Sequence, residues 1–317
     1  MTTESFYIGI DVAKATLAVS TTQKRLGEFA NSPAGHQAVI TCFKQLAVTC
    51  VVLEATGIYG QAVVEALLLA GYAVAVVQPG CVRHFAKSKK ILAKTDDIDA
   101  RVIAQFGEAN KPRLIQKKPE GCAHLRVLVD RRDQIIEMRV SEQNHLEACR
   151  DRAIQKDMKA NIARFEKQED TYNKKIAEAI AADEVLTAKR KILENESGIG
   201  KQTAAVLLAH LPELGTVNRQ HIAALVGLAP YNQDSGTING KRAIYGGRKR
   251  LRKALYMAAL SAVRWSDSLK ETYTNLLKRG KCKKVALIAC ARKLIVRLNS
   301  ILATANKKTP ESAMKTA

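Results

Sequence analysis

A chain of 317 residues with 47% hydrophobic content can bury two cores, which excludes a disordered protein. Lys and Arg total 51 against 30 Asp and Glu, a formal charge of +21, so the partner expected is a polyanion, nucleic acid first. No apolar run approaches the ~20 residues of a spanning helix, no basic amphipathic anchor stands apart, and the N-terminus lacks a signal-peptide pattern; a membrane protein is set aside. Cys42, Cys50, Cys81, Cys122, Cys149, Cys282 and Cys290 are scattered without Cys-x-x-Cys spacing, as expected of reduced thiols in a cytoplasmic protein. The six histidines form no ligand pair, so any metal would be held by oxygen.

The chain opens on Tyr7-Ile-Gly-Ile-Asp-Val-Ala-Lys14, a buried-strand pattern interrupted by one carboxylate, Asp11. An ionised group in an apolar strand is costly unless it is hydrogen-bonded, neutralised or bound to a cation. Alone, Asp11 also suits a strand end or a turn. A tight turn at 13–15 and a strand over 16–21 complete a hairpin, and 28–31 adds a third strand. Ser32-Pro33 reads as an N-cap and first helical position, with Val39, Ile40 and Phe43 on the apolar side. A buried strand at 51–53 ends at Glu54. A helix over 59–70 follows, with Gly71 as its cap, and then a strand over 72–77 stopped by Pro79-Gly80. Strands alternating with helices after an opening hairpin predict an α/β domain with a mixed sheet.

Ligands of open sheets sit beyond the strand ends, where Asp11 and Glu54 would meet; Asp96 and Asp99, three apart, share one helix face that can pack across that edge. Two like charges about 4 Å apart repel by roughly 4 kcal/mol at an effective dielectric of about 20, so four carboxylates converge only around a counter-ion. Hard oxygen donors suit Mg²⁺ or Mn²⁺, and a pair of such ions activates water or a phosphate oxygen in phosphodiester chemistry. Behind Thr95, Asp96 and Asp99 equally suit the first turn of a helix.

Residues 122–197 contain neither proline nor glycine and are densely charged, predicting long helices in a helical hairpin or irregular coiled coil, read as a spacer or dimerisation arm. At Glu196-Ser-Gly-Ile-Gly-Lys201 a helix-hairpin-helix pattern would let Gly198, Gly200 and Lys201 grip a phosphate at a helix start; an ordinary helix-helix turn is the alternative. A polar loop over 231–242 leads into a basic run. Lys241, Arg242, Arg248, Lys249, Arg250, Arg252 and Lys253, with no acid between Gly236 and Lys253, are expected to contact nucleic-acid phosphates. From composition, Ser235 is a serine before glycine in a turn. Helices over 251–265 and 283–302 precede a polar tail expected to be disordered.

Gly9-Ile-Asp-Val-Ala-Lys14, Glu54-Ala-Thr-Gly57, Lys94-Thr-Asp-Asp-Ile-Asp-Ala100, Gly198-Ile-Gly200, Gly227-Leu-Ala-Pro230 and Ser235-Gly236, in this order, resemble the DEDD transposases of bacterial insertion sequences, the bridge-RNA-guided recombinases. The likeness covers roughly residues 8–302. It implies an α/β ribonuclease H-like (RuvC-like) mixed-sheet domain over 1–117, a helical coiled-coil or linker region over 118–195, an all-α C-terminal transposase domain over 196–305 and a disordered tail over 306–317. In that family Asp11, Glu54, Asp96 and Asp99 would bind Mg²⁺, and Ser235 would attack the DNA phosphodiester to form a covalent phosphoserine link. The resemblance also implies donor and target DNA, a structured noncoding RNA that pairs with both, and a homodimer or homotetramer. Two other readings share the sequence: a metal-dependent endonuclease or junction resolvase that uses water, and a non-catalytic RNA- or DNA-binding scaffold. Actin-like sugar kinases also open on Ile-Gly-Ile-Asp, but the chain offers no second phosphate-binding glycine loop.

Overall fold

The computed structural model describes residues 6–55, 57–91, 95–115, 120–232, 234, 240 and 242–313, without the side chains of 96, 97, 120, 121 and 308–313. The chain divides into two compact units, Met1–Lys117 and Lys118–Ala317.

The first unit is built on a five-stranded mixed sheet of β1 (Phe6–Val12), β2 (Thr16–Thr21), β3 (Arg25–Ala30), β4 (Val48–Glu54) and β5 (Val74–Val77), in the order β3-β2-β1-β4-β5. The hairpin strands pair antiparallel, whereas β1 with β4 and β4 with β5 are parallel. Helices α1 (Pro33–Phe43) and α2 (Gln61–Leu69) cover one face, burying Val39, Phe43, Val63 and Leu67 against Ile8, Ile10, Leu17 and Leu53. The opposite face carries Cys50, Val52 and Ala75 under α3 (Pro79–Ser88) and α4 (Asp96–Asn110), through Val82, Val102 and Ile103. The α3 helix is a departure from the expected stop at Pro79-Gly80. Proline there has no N–H to lose and a φ already suited to a helix, so it starts the helix.

Two glycines set how α4 lies. A Cβ on Gly9 would enter the van der Waals shells of the Ala100 carbonyl and Ala104 amide, and one on Gly107 would meet Val52 Cγ2 at 2.5 Å and Tyr7 Cδ1 at 3.2 Å. Residues 100–104 therefore cross β1 at Gly9 while Gly107 lies over Tyr7 and Val52, so α4 runs antiparallel to β1. Its first turn extends past Gly9 toward the C-terminal ends of β1 and β4.

The second unit is helical: α5 (Glu120–Ala148), α6 (Arg152–Ala181), α7 (Glu184–Glu194), α8 (Lys201–His210) and α9 (Arg219–Leu225) precede a two-stranded ribbon of β6 (Pro230–Tyr231) and β7 (Ala243–Ile244), then α10 (Lys249–Trp265), α11 (Asp267–Lys278) and α12 (Lys283–Ala313). Asp151 and Asp183 break the long charged stretch by capping α6 and α7 with their carboxylates. The antiparallel pair α5–α6 is bridged by Arg139–Glu169 at 3.2 Å and by Asn161 donating to Glu142 at 3.0 Å. The root of this hairpin, Leu125, Leu128, Val129, Ile176 and Ile180, packs in one core with Leu193, Ile199, Leu207, Leu255 and Leu294. Among the described residues this one cluster spans both sides of residue 195. A helix not anticipated from the sequence, α11, lies between the two expected at the C-terminus. The last helix runs on beyond Leu302 as far as Ala313, through positions expected to form a disordered tail. Among the described residues no helix is long and apolar enough to cross a membrane.

Candidate active site

The register of the parallel pair β1–β4 ends with Ile10 opposite Leu53, so the next step along both strands brings Asp11 beside Glu54. Successive strand residues alternate faces. Ile8, Ile10 and Leu53 pack under α1 and α2, while Gly9 and Val52 meet α4; Asp11 and Glu54 therefore project to the α4 side, and both are half-buried. Asp96 is about one turn, four residues and roughly 6 Å of rise, before Ala100, and Asp11 is about 6.6 Å along the strand from Gly9. The two displacements run the same way. Asp99 is likewise one turn ahead of buried Ile103 and is half-buried. The helix start itself is capped by Thr95, whose hydroxyl accepts from the Ile98 amide at 3.3 Å.

The backbone thus sets Asp11 beside Glu54 at one edge of the sheet, on the face that the start of α4 approaches. Among the described residues no three Asp, Glu, His or Cys side chains stand close enough to hold an ion, and the Asp96 side chain lies outside those residues. The donor chemistry, carboxylate oxygens with no sulfur or nitrogen among them, fits a hard divalent cation.

Around the same edge, Asn31 is a polar joint the sequence reading overlooked. Its Nδ2 donates to the Ala13 carbonyl at 2.9 Å and the Tyr59 carbonyl at 3.1 Å, and its Oδ1 lies 2.8 Å from His36 Nε2. Burial holds the His36 imidazole below its ordinary pKa, so the ring is neutral.

In the helical unit, Ser235 and Lys241 lie outside the described residues. Among the described residues nearby, β6 pairs with β7, with Tyr231 opposite Ala243, and the Gly240 amide donates to Asp234 at 3.1 Å. Close approach between Gly247 and Gly227, both at φ near +66° to +68°, packs the glycine turns flanking the ribbon, and Arg252 donates to the carbonyls of Gly246 at 2.7 Å and Gly227 at 3.3 Å.

That contact corrects part of the basic run. Arg248 makes a paired contact to Glu213 at 2.7 and 2.5 Å and a bond to the His210 carbonyl at 2.8 Å. Arg250 is bonded to Asp130, to Asp133 at 2.7 Å and to the Val129 carbonyl at 2.8 Å. Burial, then the like charge of Arg126, pulls its guanidinium down to about 10. Arg248, Arg250 and Arg252 are internal struts, because a five-donor guanidinium on a long stem reaches back to carbonyls and carboxylates of its own fold. Lys201, Arg242, Lys249 and Lys253 are exposed.

Gly198 (φ +87°) is also a packing residue: a Cβ there would lie 2.5 Å from the Ala258 carbonyl and 2.7 Å from Ala262 Cβ on α10. Gly200 caps α8 with open space around it and no side-chain cap, leaving the first amides of α8 facing outward beside exposed Lys201.

A carboxylate-edged mixed sheet followed by a basic helical unit suits an enzyme that acts on nucleic acid. The DEDD model for IS110 elements, described as Transposase, matches residues 8–155, and the model described as Transposase IS116/IS110/IS902 family matches residues 190–274. The chain belongs to this family of insertion-sequence transposases and is an enzyme of DNA recombination. It is 28% identical over 303 residues to the Pilin gene-inverting protein of Moraxella bovis, covering 91% of this chain and 93% of that one. Its counterpart in Moraxella lacunata is 27% identical with the same coverage. An uncharacterized 43.6 kDa protein of insertion element IS110 from Streptomyces coelicolor is 34% identical over 114 residues, 35% of this chain and 28% of that one.

Proposed function

We propose that this transposase cleaves and exchanges DNA strands with a ribonuclease H-like carboxylate site and a serine nucleophile, in the cytoplasm, guided by a structured noncoding RNA and acting as a homodimer or homotetramer. The observation that carries the reading is the pairing of Asp11 and Glu54 on adjacent parallel strands beneath the start of α4, which bears Asp96 and Asp99. Asp11, Glu54, Asp96 and Asp99 would hold Mg²⁺ or Mn²⁺. Such an ion supplies charge stabilisation at the scissile phosphate and lowers the cost of deprotonating a hydroxyl.

A serine hydroxyl is a poor nucleophile at neutral pH and needs such help. Ser235 Oγ forms a bond to phosphorus as the bond from phosphorus to the leaving strand oxygen breaks. The serine proton passes to a base and the leaving oxygen takes one up. A hydroxyl of the joining strand then attacks the phosphoserine, and Ser235 leaves. The phosphodiester bond energy is retained throughout, which suits strand exchange rather than hydrolysis. The Moraxella relatives are named for inverting a gene, and inverting a gene requires DNA strands to be exchanged.

Lys201, Arg242, Lys249 and Lys253, with Lys241, would track phosphates, and the +21 charge suits two nucleic acids held together. Base pairing by the RNA would read sequence while the protein reads backbone. The test is Ser235→Ala in a strand-transfer assay with the element's ends and flanking RNA. Loss of both covalent protein-DNA adduct and exchange is expected; cleavage that survives without adduct would favour a water-using nuclease. Asp99→Asn without effect on strand transfer would favour a scaffold.

A further inference from the structure

The segment Asn31-Ser-Pro-Ala-Gly-His36 joins β3 to α1, and each part of it has a local reason. Ser32 caps α1, its hydroxyl accepting from the Gly35 amide at 3.3 Å, and Pro33 takes the first turn. Gly35 is needed because a Cβ there would collide with the Ala30 carbonyl. The helix start is thereby pressed onto the end of β3, and the His36 ring, 6% exposed, is brought to Asn31.

The orientation of the Asn31 carboxamide follows from its partners. The carbonyls of Ala13 and Tyr59 can only accept, so Nδ2 faces them and Oδ1 faces His36, which must carry its hydrogen on Nε2. The backbone amide of Asn31 adds a bond to the Ala15 carbonyl at 2.8 Å. Ala13 lies two residues after Asp11, and Tyr59 lies in the turn of 57–60 that follows Glu54. One side chain therefore ties the exits of the two strands that carry the paired acids, across elements far apart in sequence.

We propose that Asn31, locked by His36, is a positioning residue: it sets the separation of the β1 and β4 exit loops and so of Asp11 and Glu54, which determines how tightly a divalent cation is held for strand cleavage. This rests on the carboxylate reading above. Such residues behind a metal site typically change affinity or activity by roughly 10- to 100-fold.

The experiment uses the full chain and titrates Mn²⁺ without nucleic acid, following the free ion by electron paramagnetic resonance, alongside amide exchange over 57–60 and the kcat and KM of strand cleavage. Asn31→Ala and His36→Leu are expected to weaken Mn²⁺ binding about tenfold or more, speed exchange over 57–60 and lower kcat with KM for DNA unchanged. His36→Gln, whose amide can still donate to Asn31 Oδ1, is expected to restore all three toward wild type. Asp11→Asn serves as reference. Should Asp11→Asn lose Mn²⁺ while Asn31→Ala and His36→Leu bind it as wild type does, the joint is only structural and the proposal falls, leaving the carboxylate site standing. Wild-type Mn²⁺ binding by Asp11→Asn would remove the site and the proposal together. If Asn31→Ala fails to fold, the contrast between His36→Leu and His36→Gln decides alone.

Discussion

In the sheet unit, Asp11, Glu54 and Asp99 stand half-buried at strand ends and a helix start, on short side chains that cannot reach far from the backbone that places them. In the helical unit, Arg248, Arg250 and Arg252 sit in an equally conspicuous run yet turn inward, spending their donors on Glu213, Asp130, Asp133 and backbone carbonyls. Position in sequence predicts what a short acid presents far better than what a long guanidinium presents. A basic run consequently includes arginines that brace their own fold, while a carboxylate interrupting a strand stays close to the backbone position that the sequence gives it.

This contrast can be broken at either side. The largest effect is expected from Asp11→Asn, which keeps the shape of the strand and should lower strand cleavage on the order of a thousandfold, measured in single-turnover assays with a circular dichroism check of the fold. Unchanged cleavage would remove the functional half of the comparison. Gly9→Ala comes next. It must push α4 off β1, and overpacking of this kind costs about 1–3 kcal/mol or more, read from urea unfolding, with Mn²⁺ affinity falling because the first turn of α4 moves.

Arg250→Ala should destabilise the helical unit by about 2 kcal/mol. That is below the ~3–5 kcal/mol of a fully buried pair, because Asp130 and Asp133 are 39% and 32% exposed. Lys249→Ala, by contrast, should leave stability within about 0.5 kcal/mol and reduce the salt slope of DNA binding by about 0.9. An Arg250 variant that changed only the salt slope would show the strut assignment to be mistaken. The smallest effect concerns His36. Its folded pKa is depressed, so the unfolded chain binds more protons as pH falls through 6.5; stability is full above that pH and declines below it. His36→Gln should flatten this part of the pH profile.

Much of the sheet unit was legible in order along the chain. A buried-strand pattern followed by a tight turn at 13–15 located the hairpin, Ser32-Pro33 announced α1, and the apolar run to Glu54 marked β4. The α3 helix was missed because Pro79-Gly80 is ambiguous between a stop and a start, and α11 because its amphipathic pattern is short. Asn31 carried no signal at all: its partners, Ala13, Tyr59 and His36, are a backbone carbonyl from each of two distant turns and a ring five residues on. For Gly198 the sequence offers a phosphate-gripping turn or an ordinary helix-helix turn; its close neighbours, Ala258 and Ala262, lie some 60 residues later.

By itself the sequence determined the alternation that builds a mixed sheet, the placing of acids at strand and helix termini, the caps that divide the helices, and the ordered motifs that mark the family. Those follow from local backbone chemistry and from residue spacing. Which charges remain outward, where α4 crosses the sheet, and which side chain fastens the two acid-bearing strand exits were decided only by tertiary structure. Each depends on a group reaching a partner across space, and a long side chain or an empty Cβ position says nothing of that partner until the chain has folded around it.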